Sequence, residues 1–171
     1  DVALPLPAAV DGVEFLERLE GMMVRFPQSL SVTEHFQLGR FGQVVLSSGG
    51  RLPQPTQIAS PGAAAQAVQA ANNRNRIIVD DTLQNQNADP IVFGRLGGPL
   101  TAANTLRGGD TVTDLTGVLS YTWAGNAASG NAYRVRPVGD LSDLTPGGGV
   151  PVFEPANPRP SARTAGSQST K

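Results

Sequence analysis

Glycine and proline interrupt this sequence so often that only short regular elements fit between them. They account for 20 and 14 of the 171 residues. Apolar residues still make up 39% of the chain, which is enough for a packed core and argues against wholesale disorder. A chain of this length accommodates one domain with a modest core, or a small domain followed by a tail.

The strand signals are short apolar or alternating runs bounded by turn-forming residues. The clearest is 76–80, where Ile77, Ile78 and Val79 follow one another. Met22–Phe26 and Leu30–Phe36 indicate either one strand bent at Pro27 or two short strands. Three further runs complete the set, at 42–48, 111–123 and 132–138.

Two helices are expected. The first covers 11–20, with Asp11 as its N-cap. The second opens with Ser60 as N-cap and Pro61 at the first helical position, and continues through an alanine-rich segment to residue 71. The long connection 82–110 is rich in Asn, Gln and Gly, and its apolar residues at 91–93 are expected to hold it against the body.

These elements predict a mainly β fold: a small OB-like barrel of five to six strands, with one or two short helices and long loops. A helix between the second and third strand signals departs from the standard barrel, where the helix follows the third strand. We divide the chain into an N-terminal extension with a short helix (1–18), the barrel (19–145), and a linker rich in Pro, Gly and Ser (146–171).

The composition excludes several classes of chemistry. Without cysteine there are no disulfides, thiol nucleophiles or Cys-based zinc or iron–sulfur sites. A single histidine, His35, excludes a His-rich metal site. The net charge of −1 gives no whole-molecule attraction to nucleic acid or an acidic membrane. The sequence contains no run of eighteen consecutive apolar residues, the pattern that would indicate a membrane-spanning helix.

Asp80 and Asp81 form the most tempting carboxylate pair, because two acids can hold a hard cation. Neighbouring residues on a strand point to opposite faces, however, so two turn caps that bind backbone amides are the favoured interpretation. Glu34 and His35 diverge for the same reason, and His35 is expected to be a surface residue or a hydrogen-bonded structural residue. We assign no catalytic residue and no metal ligand.

Arginines supply the candidate binding residues. Arg134 and Arg136 share one strand face, Arg74 and Arg76 flank another strand start, and Arg40 adjoins Phe41 in a turn. OB barrels bind single strands by combining a basic groove with aromatic platforms. The predicted nucleic-acid-binding residues are therefore Arg40, Phe41, Arg74, Arg76, Arg134 and Arg136, with Phe36 and Tyr121 as further stacking candidates. Two observations oppose this: arginine rows on a barrel exterior are often merely solvated, and Tyr121 and Trp123 fall on the face expected to be core.

A family resemblance adds to this interpretation. Leu19–Val24, with the sequence LEGMMV, resembles the opening of an OB-type domain found upstream of the catalytic domain in secreted bacterial nucleases. Those nucleases belong to the endonuclease/exonuclease/phosphatase superfamily. The resemblance covers roughly residues 19–138 and continues in order through 32–34, 38–42, 46–49, 51–56, 75–81, 106–110, 115–119 and 133–137.

The resemblance implies a non-catalytic accessory domain of an extracellular bacterial nuclease. Residues 157–160 (NPRP) resemble the linker to the catalytic domain, whose own signatures do not appear in this sequence. A divalent metal, Mg²⁺ or Ca²⁺, is expected in that domain, and no cofactor in this chain. The expected partners are DNA or RNA and the catalytic domain, with no membrane. The alternative is a structural module that packs on and orients the catalytic domain without contacting nucleic acid.

Overall fold

In the computed structural model, which describes residues 1–8, 12–139 and 149–156, seven strands form one curled sheet. The strands are β1 (Met23–Phe26), β2 (Leu30–Glu34), β3 (Gln43–Ser48), β4 (Ile77–Asp80), β5 (Thr111–Val112), β6 (Leu115–Thr122) and β7 (Ala132–Pro137). Their order across the sheet is β1-β6-β7-β4-β3-β2-β5. The pair β4 and β7 is parallel, and the other pairs are antiparallel.

The connection between β1 and β2 makes this sheet curl. β1 lies at one end of the strand order and β2 next to the other end, yet only residues 27–29 separate them in the chain. Four Cα–Cα steps span at most about 15 Å, so the two ends of the sheet must lie close together. Counted as one strand bent at Pro27, β1 and β2 give an OB-like barrel. The predicted mainly β, barrel-like fold is confirmed, with β5 as an added two-residue edge strand.

One face of each strand fills the barrel. In β3 and β4 the inward residues are Val44, Leu46, Ile77 and Val79, all buried in one apolar cluster. The opposite faces of these two strands carry Gln43 and Asp80, among others, so the polar residues of the central strands lie on the outer face. The inner face of the sheet therefore forms the core, and the outer face carries the site described below.

The expected strand 111–123 is broken in two. Asp114, at φ +63°, interrupts the strand between β5, which pairs with β2, and β6, which pairs with β1. Tyr121 and Trp123 were expected in the core, and this was wrong, since they are 48% and 43% exposed. Tyr121 keeps the inward side of β6, but the strand runs past the end of the core there. Its ring packs instead on Tyr133, with ring centroids 4.9 Å apart.

Within the described residues four helices accompany the sheet, more than the one or two expected. They are α1 (Gly12–Glu17), α2 (Leu38–Phe41), α3 (Pro55–Ile58) and α4 (Ala63–Arg74), with a 3₁₀ turn at Ala127–Ser129. The proposed α1 cap, Asp11, lies outside the described residues. The expected start of the second helix at Ser60 was wrong: α4 begins at Ala63, with no side chain capping its first turn. As the sequence indicated, this helix lies between β3 and β4.

The first residues of the chain pack on the barrel. Val2, Leu4 and Leu6 are buried in the main core. The backbone N–H of Val2 donates to the carbonyl of Arg25 at 2.8 Å, and that of Leu6 donates to the carbonyl of Arg74 at 2.7 Å. The segment described as an N-terminal extension is thus part of the folded body.

Residues 149–156 form a strap across the long connection and were wrongly assigned to a linker. Phe153 is fully buried and packs edge-on against Phe93, with ring centroids 5.9 Å apart. Thr111 and Glu154 exchange two backbone hydrogen bonds. As expected, the connection is held down at 91–93, where Val92 and Phe93 are buried. The rest of the predicted linker, 146–148 and 157–171, lies outside the described residues.

No helix in the described parts of the chain is both long enough and apolar enough to cross a membrane.

Replacing Phe153 tests whether the strap belongs to the core. Phe153→Ala should lower the free energy of unfolding by about 3–5 kcal/mol, because it empties a fully buried aromatic position. Phe36→Ala is the matched control: this side chain is 87% exposed, so its loss should change stability by less than about 0.5 kcal/mol. Urea unfolding measures both. Equal effects of the two substitutions on the free energy of unfolding would contradict the placement of Phe153 in the core.

Candidate functional site

A buried arginine lies at the centre of the outer face of the sheet. Arg134 on β7 is fully buried and donates from Nη1 to Asp80 Oδ2 at 2.9 Å and to Gln43 Oε1 at 2.7 Å. Its Nε donates to the carbonyl of Thr122 at 2.9 Å, and Nη2 donates to that of Gly130 at 3.1 Å. The guanidinium therefore joins three adjacent strands, β3, β4 and β7, to the ends of one turn.

Charge pairing makes this burial possible. Burial lowers the pKa of Arg134, whereas the hydrogen bond and the charge of Asp80 oppose that shift. A buried charge without a partner is strongly destabilising, so each member of the pair depends on the other. Arg134 was predicted to contact nucleic acid. Because its side chain is buried and bound within the protein, we assign it a structural role.

Arg134 also holds the turn between β6 and β7 against the sheet. The carbonyls that it binds, at Thr122 and Gly130, lie at the two ends of residues 123–129. Inside the turn, Asn126 Oδ1 accepts from the backbone N–H of Ala128 at 2.8 Å and caps the 3₁₀ turn. We call Arg134, Asp80 and Gln43 the Arg134 cluster. The position of Trp123, the first residue of the turn, therefore depends on this cluster.

Arg136 lies next to this cluster but reaches the surface. Its side chain is 25% exposed, with Nε 3.5 Å from Asp80 Oδ1. Its Nη2 donates to the carbonyl of Trp123 at 3.3 Å. The two arginines of β7 thus divide their roles: Arg134 is enclosed, and Arg136 presents charge to solvent beside Trp123.

Asp80 and Asp81 are turn caps, as the sequence predicted. Asp80 Oδ1 accepts from the backbone N–H of Thr82 at 2.8 Å, and Asp81 Oδ1 accepts from that of Leu83 at 3.0 Å. They point to different sides, Asp80 toward Arg134 and Asp81 toward Gly42. Across residues 1–8, 12–139 and 149–156, no group of three or more His, Cys, Asp or Glu is placed to hold a metal ion.

The burial of both carboxylates did not follow from the sequence. Asp81 is 2% exposed and packs on Gly42, whose φ of +65° suits glycine and whose Cβ, if present, would overlap the carboxylate. Burial raises the pKa of Asp81 to about 7, and the charge of Asp80 adds to this. The Leu83 N–H and the charge of Arg136 act in the opposite direction.

Three segments meet over the cluster, and we call them the loop surface: residues 35–42, 82–87 and 123–131. Arg40 joins the first two, since its carbonyl accepts from the Asn87 N–H at 2.9 Å and its Nε donates to Gln86 Oε1 at 2.9 Å. A side chain at Gly125 would collide with the carbonyl oxygen of Asn85, so the last two segments also touch. The loop surface exposes Phe36, Arg40 and Trp123.

The predicted residues fall into two groups. Arg40, Phe41, Arg134 and Arg136 belong to the loop surface or lie beneath it. Phe41 is buried under its neighbour, with Arg40 Cζ 5.0 Å above the ring centroid, so it offers no free stacking face. Arg74, the last residue of α4, and Arg76, just before β4, lie elsewhere on the barrel, where they border two grooves. His35 is exposed, as expected.

Trp123 is the surface residue that sequence reasoning missed, because alternation placed it inside. The available signal was the cluster of small residues at 124–131, which marks the end of the strand.

Residues 2–137 match the family described as Domain of unknown function (DUF8508). The chain belongs to this family. No curated protein and no solved structure matches the chain. The family match ends at Pro137, the last residue of β7, so it contains all seven strands and the loop surface.

Removing the buried guanidinium should be costly. Arg134→Met should lower the free energy of unfolding by about 3–5 kcal/mol, because it leaves the Asp80 carboxylate buried without its main partner. Adding Asp80→Asn should restore part of that loss, since the remaining partner then carries no charge. Arg18→Met, at an exposed arginine paired with Glu14, should leave stability nearly unchanged. Urea unfolding of the wild type, the Arg134→Met and Asp80→Asn single variants, the double variant and Arg18→Met measures this. Strict additivity of the two site substitutions would contradict the pairing.

The Asp81 environment predicts a pH dependence of stability. Its folded-state pKa of about 7 lies above the ordinary value of 3.8, so the folded protein binds this proton more tightly than the unfolded chain. The stabilisation of the folded protein by this proton is fully present below about pH 4 and is lost as the pH rises through 7. Between pH 5 and pH 8, Asp81→Asn should therefore gain roughly 2–3 kcal/mol relative to the wild type. Asp89→Asn, at an exposed site, is the control. A difference between Asp81→Asn and wild type that does not vary with pH would contradict the assignment.

Proposed function

We propose that this domain is a non-catalytic nucleic-acid-binding module of a secreted, metal-dependent bacterial nuclease, and that it holds DNA or RNA near the catalytic domain. The loop surface is the observation that carries the proposal. In OB barrels, oligonucleotides bind on the face of the second and third strands, between the loops that follow the first and fourth strands. Residues 35–42 and 123–131 occupy those two loop positions here, and 82–87 connects them.

The side chains of the loop surface suit a single strand. Phe36 and Trp123 are 87% and 43% exposed, and their ring faces can stack on bases. Arg40 lies in the same segment as Phe36, and Arg136 Nη2 donates to the backbone carbonyl of Trp123. Guanidinium groups bind phosphate oxygens in a bidentate manner. Stacking and phosphate contacts together give affinity that depends little on base sequence, as a holding module requires.

The placement in a nuclease comes from the family resemblance of residues 19–138. That resemblance also supports the extracellular location and the absence of catalytic residues from this chain. A module of this kind would raise the local concentration of substrate at a tethered catalytic domain without adding chemistry.

The strap favours a second candidate, the structural module. Residues 149–156 are fixed on the barrel by Phe153 and by the backbone bonds of Glu154, so the chain beyond them leaves from a defined place. A domain that follows in the parent protein would then be tethered from a fixed place on the barrel, even if the barrel bound no nucleic acid.

Oligonucleotide binding separates the two candidates. The domain should bind a fluorescein-labelled single-stranded 12-mer at low salt, with affinity that falls as salt rises. Trp123→Ala should weaken binding about tenfold through lost stacking, and Arg40→Gln should flatten the salt dependence by about 0.7 in log–log slope. Fluorescence anisotropy measures both, with Met22→Ala and Arg18→Gln, at exposed sites outside the loop surface, as matched controls.

Two results would overturn this assignment. Absence of binding at low salt, together with rescue of a separate catalytic domain in trans, would favour the structural module. Turnover of a phosphodiester substrate by this chain with Mg²⁺, Mn²⁺ or Ca²⁺ would contradict both candidates.

A further inference from the structure

A polar groove of about 660 Å³ lies between the end of β2 and the helices α3 and α4. Its chemically distinctive lining residues are Glu34, Arg51, Gln54, Gln57, Gln69 and Arg76. Only Arg76 among them was predicted as a binding residue. Glu34 ends β2, and the other four side chains come from the loop and helices between β3 and β4.

Hydrogen bonds fix the walls of the groove without any ligand. The backbone N–H of Leu52 donates to Thr33 Oγ1 at 2.8 Å, which ties the loop after β3 to β2. Asn72 Nδ2 donates to the carbonyl of Pro53 at 2.9 Å, which ties the same loop to α4. A site formed in advance loses little conformational freedom when it binds, so these bonds favour a genuine binding groove.

The groove combines guanidinium groups with carboxamides. Arg51 is exposed and has no carboxylate partner among the residues that the structure describes. Arg76 Nη2 lies 3.9 Å from Glu34 Oε2, a distance that leaves its other donors available. Two arginines and one glutamate give the lining a net charge of +1. Guanidinium matches phosphate oxygens, and carboxamides can donate to and accept from base edges.

The groove and the loop surface lie on the same face of one strand. Arg76 immediately precedes β4, and Asp80, which binds Arg136, ends it. Both residues occupy the outer face, because their positions differ by four. The spacing corresponds to about 13 Å along the strand. A single strand that binds the loop surface therefore lies within reach of the groove.

We propose that this groove binds the backbone of single-stranded nucleic acid, with a phosphodiester between Arg51 and Arg76 and the carboxamides of Gln54 and Gln57 facing base edges. This inference rests on the proposed function and extends it from the loop surface to a second contact. Glu34 opposes binding, because it neutralises part of the charge of Arg76 and repels phosphate. It thereby keeps this contact weak enough to release the strand.

The roles of Arg51 and Glu34 predict changes of opposite sign. Arg51→Gln should weaken binding of the labelled 12-mer about three- to tenfold and reduce the log–log salt slope by about 0.7. Glu34→Gln should strengthen binding severalfold. The matched controls are Arg18→Gln and Glu154→Gln, each of which makes the same change in charge at an exposed position outside the groove and should leave affinity unchanged. All substituted side chains are exposed, and circular dichroism melting confirms that each variant is folded.

The outcomes separate this inference from the proposed function. If the wild type binds and Trp123→Ala weakens binding, but Arg51→Gln and Glu34→Gln change nothing, the groove is not a contact and the loop surface stands. If Arg51→Gln or Glu34→Gln changes the affinity for heparin but not the affinity for the 12-mer, the groove assignment is also overturned. If the wild type binds no oligonucleotide at low salt, both proposals fall together.

Discussion

The buried ion pair between Arg134 and Asp80 is the interaction on which the outer face of this barrel depends. Apolar side chains fill the inside, but the outer face of β3, β4 and β7 is also covered, by the turn that joins β6 to β7. Polar groups enclosed there must find partners within the protein. One guanidinium supplies them, because its donors reach two side chains and two backbone carbonyls at once.

This arrangement couples the core to the surface. Because Arg134 binds the carbonyls at both ends of the turn, it sets the position of Trp123 and leaves Arg136 beside it at the surface. Asp81, one residue beyond Asp80, supports the neighbouring loop through Gly42. Asp80 and Arg134 therefore stabilise the buried part of the outer face, and Arg136 beside them presents a positive charge to solvent. A ligand at the loop surface would meet side chains already held in place.

Local patterns predicted much of the fold. The runs around Val44 and Ile77 form buried strands, and of the two alternatives at Pro27 the structure has two short strands. The two aspartates cap turns. Each of these features depends on neighbours within a few residues. The strap around Phe153 was missed because its prolines and glycines resemble a linker, while its stabilising contact lies 60 residues away at Phe93. Tyr121 and Trp123 were misplaced because alternation identifies the side of a strand but not where the core beneath it ends.

By itself, the sequence determined that short strands with one apolar face would close into a small barrel-like body, and that no cysteine chemistry or histidine metal site would be found in it. Which arginines reach a ligand was decided only by the tertiary structure. Arg134 and Arg136 are equivalent in the sequence, two residues apart on one strand face. The turn from β6 covers the first and leaves the second partly open, and Glu34 approaches Arg76 but not Arg51. Burial and pairing depend on segments distant in the chain, so they become fixed only when those segments pack together.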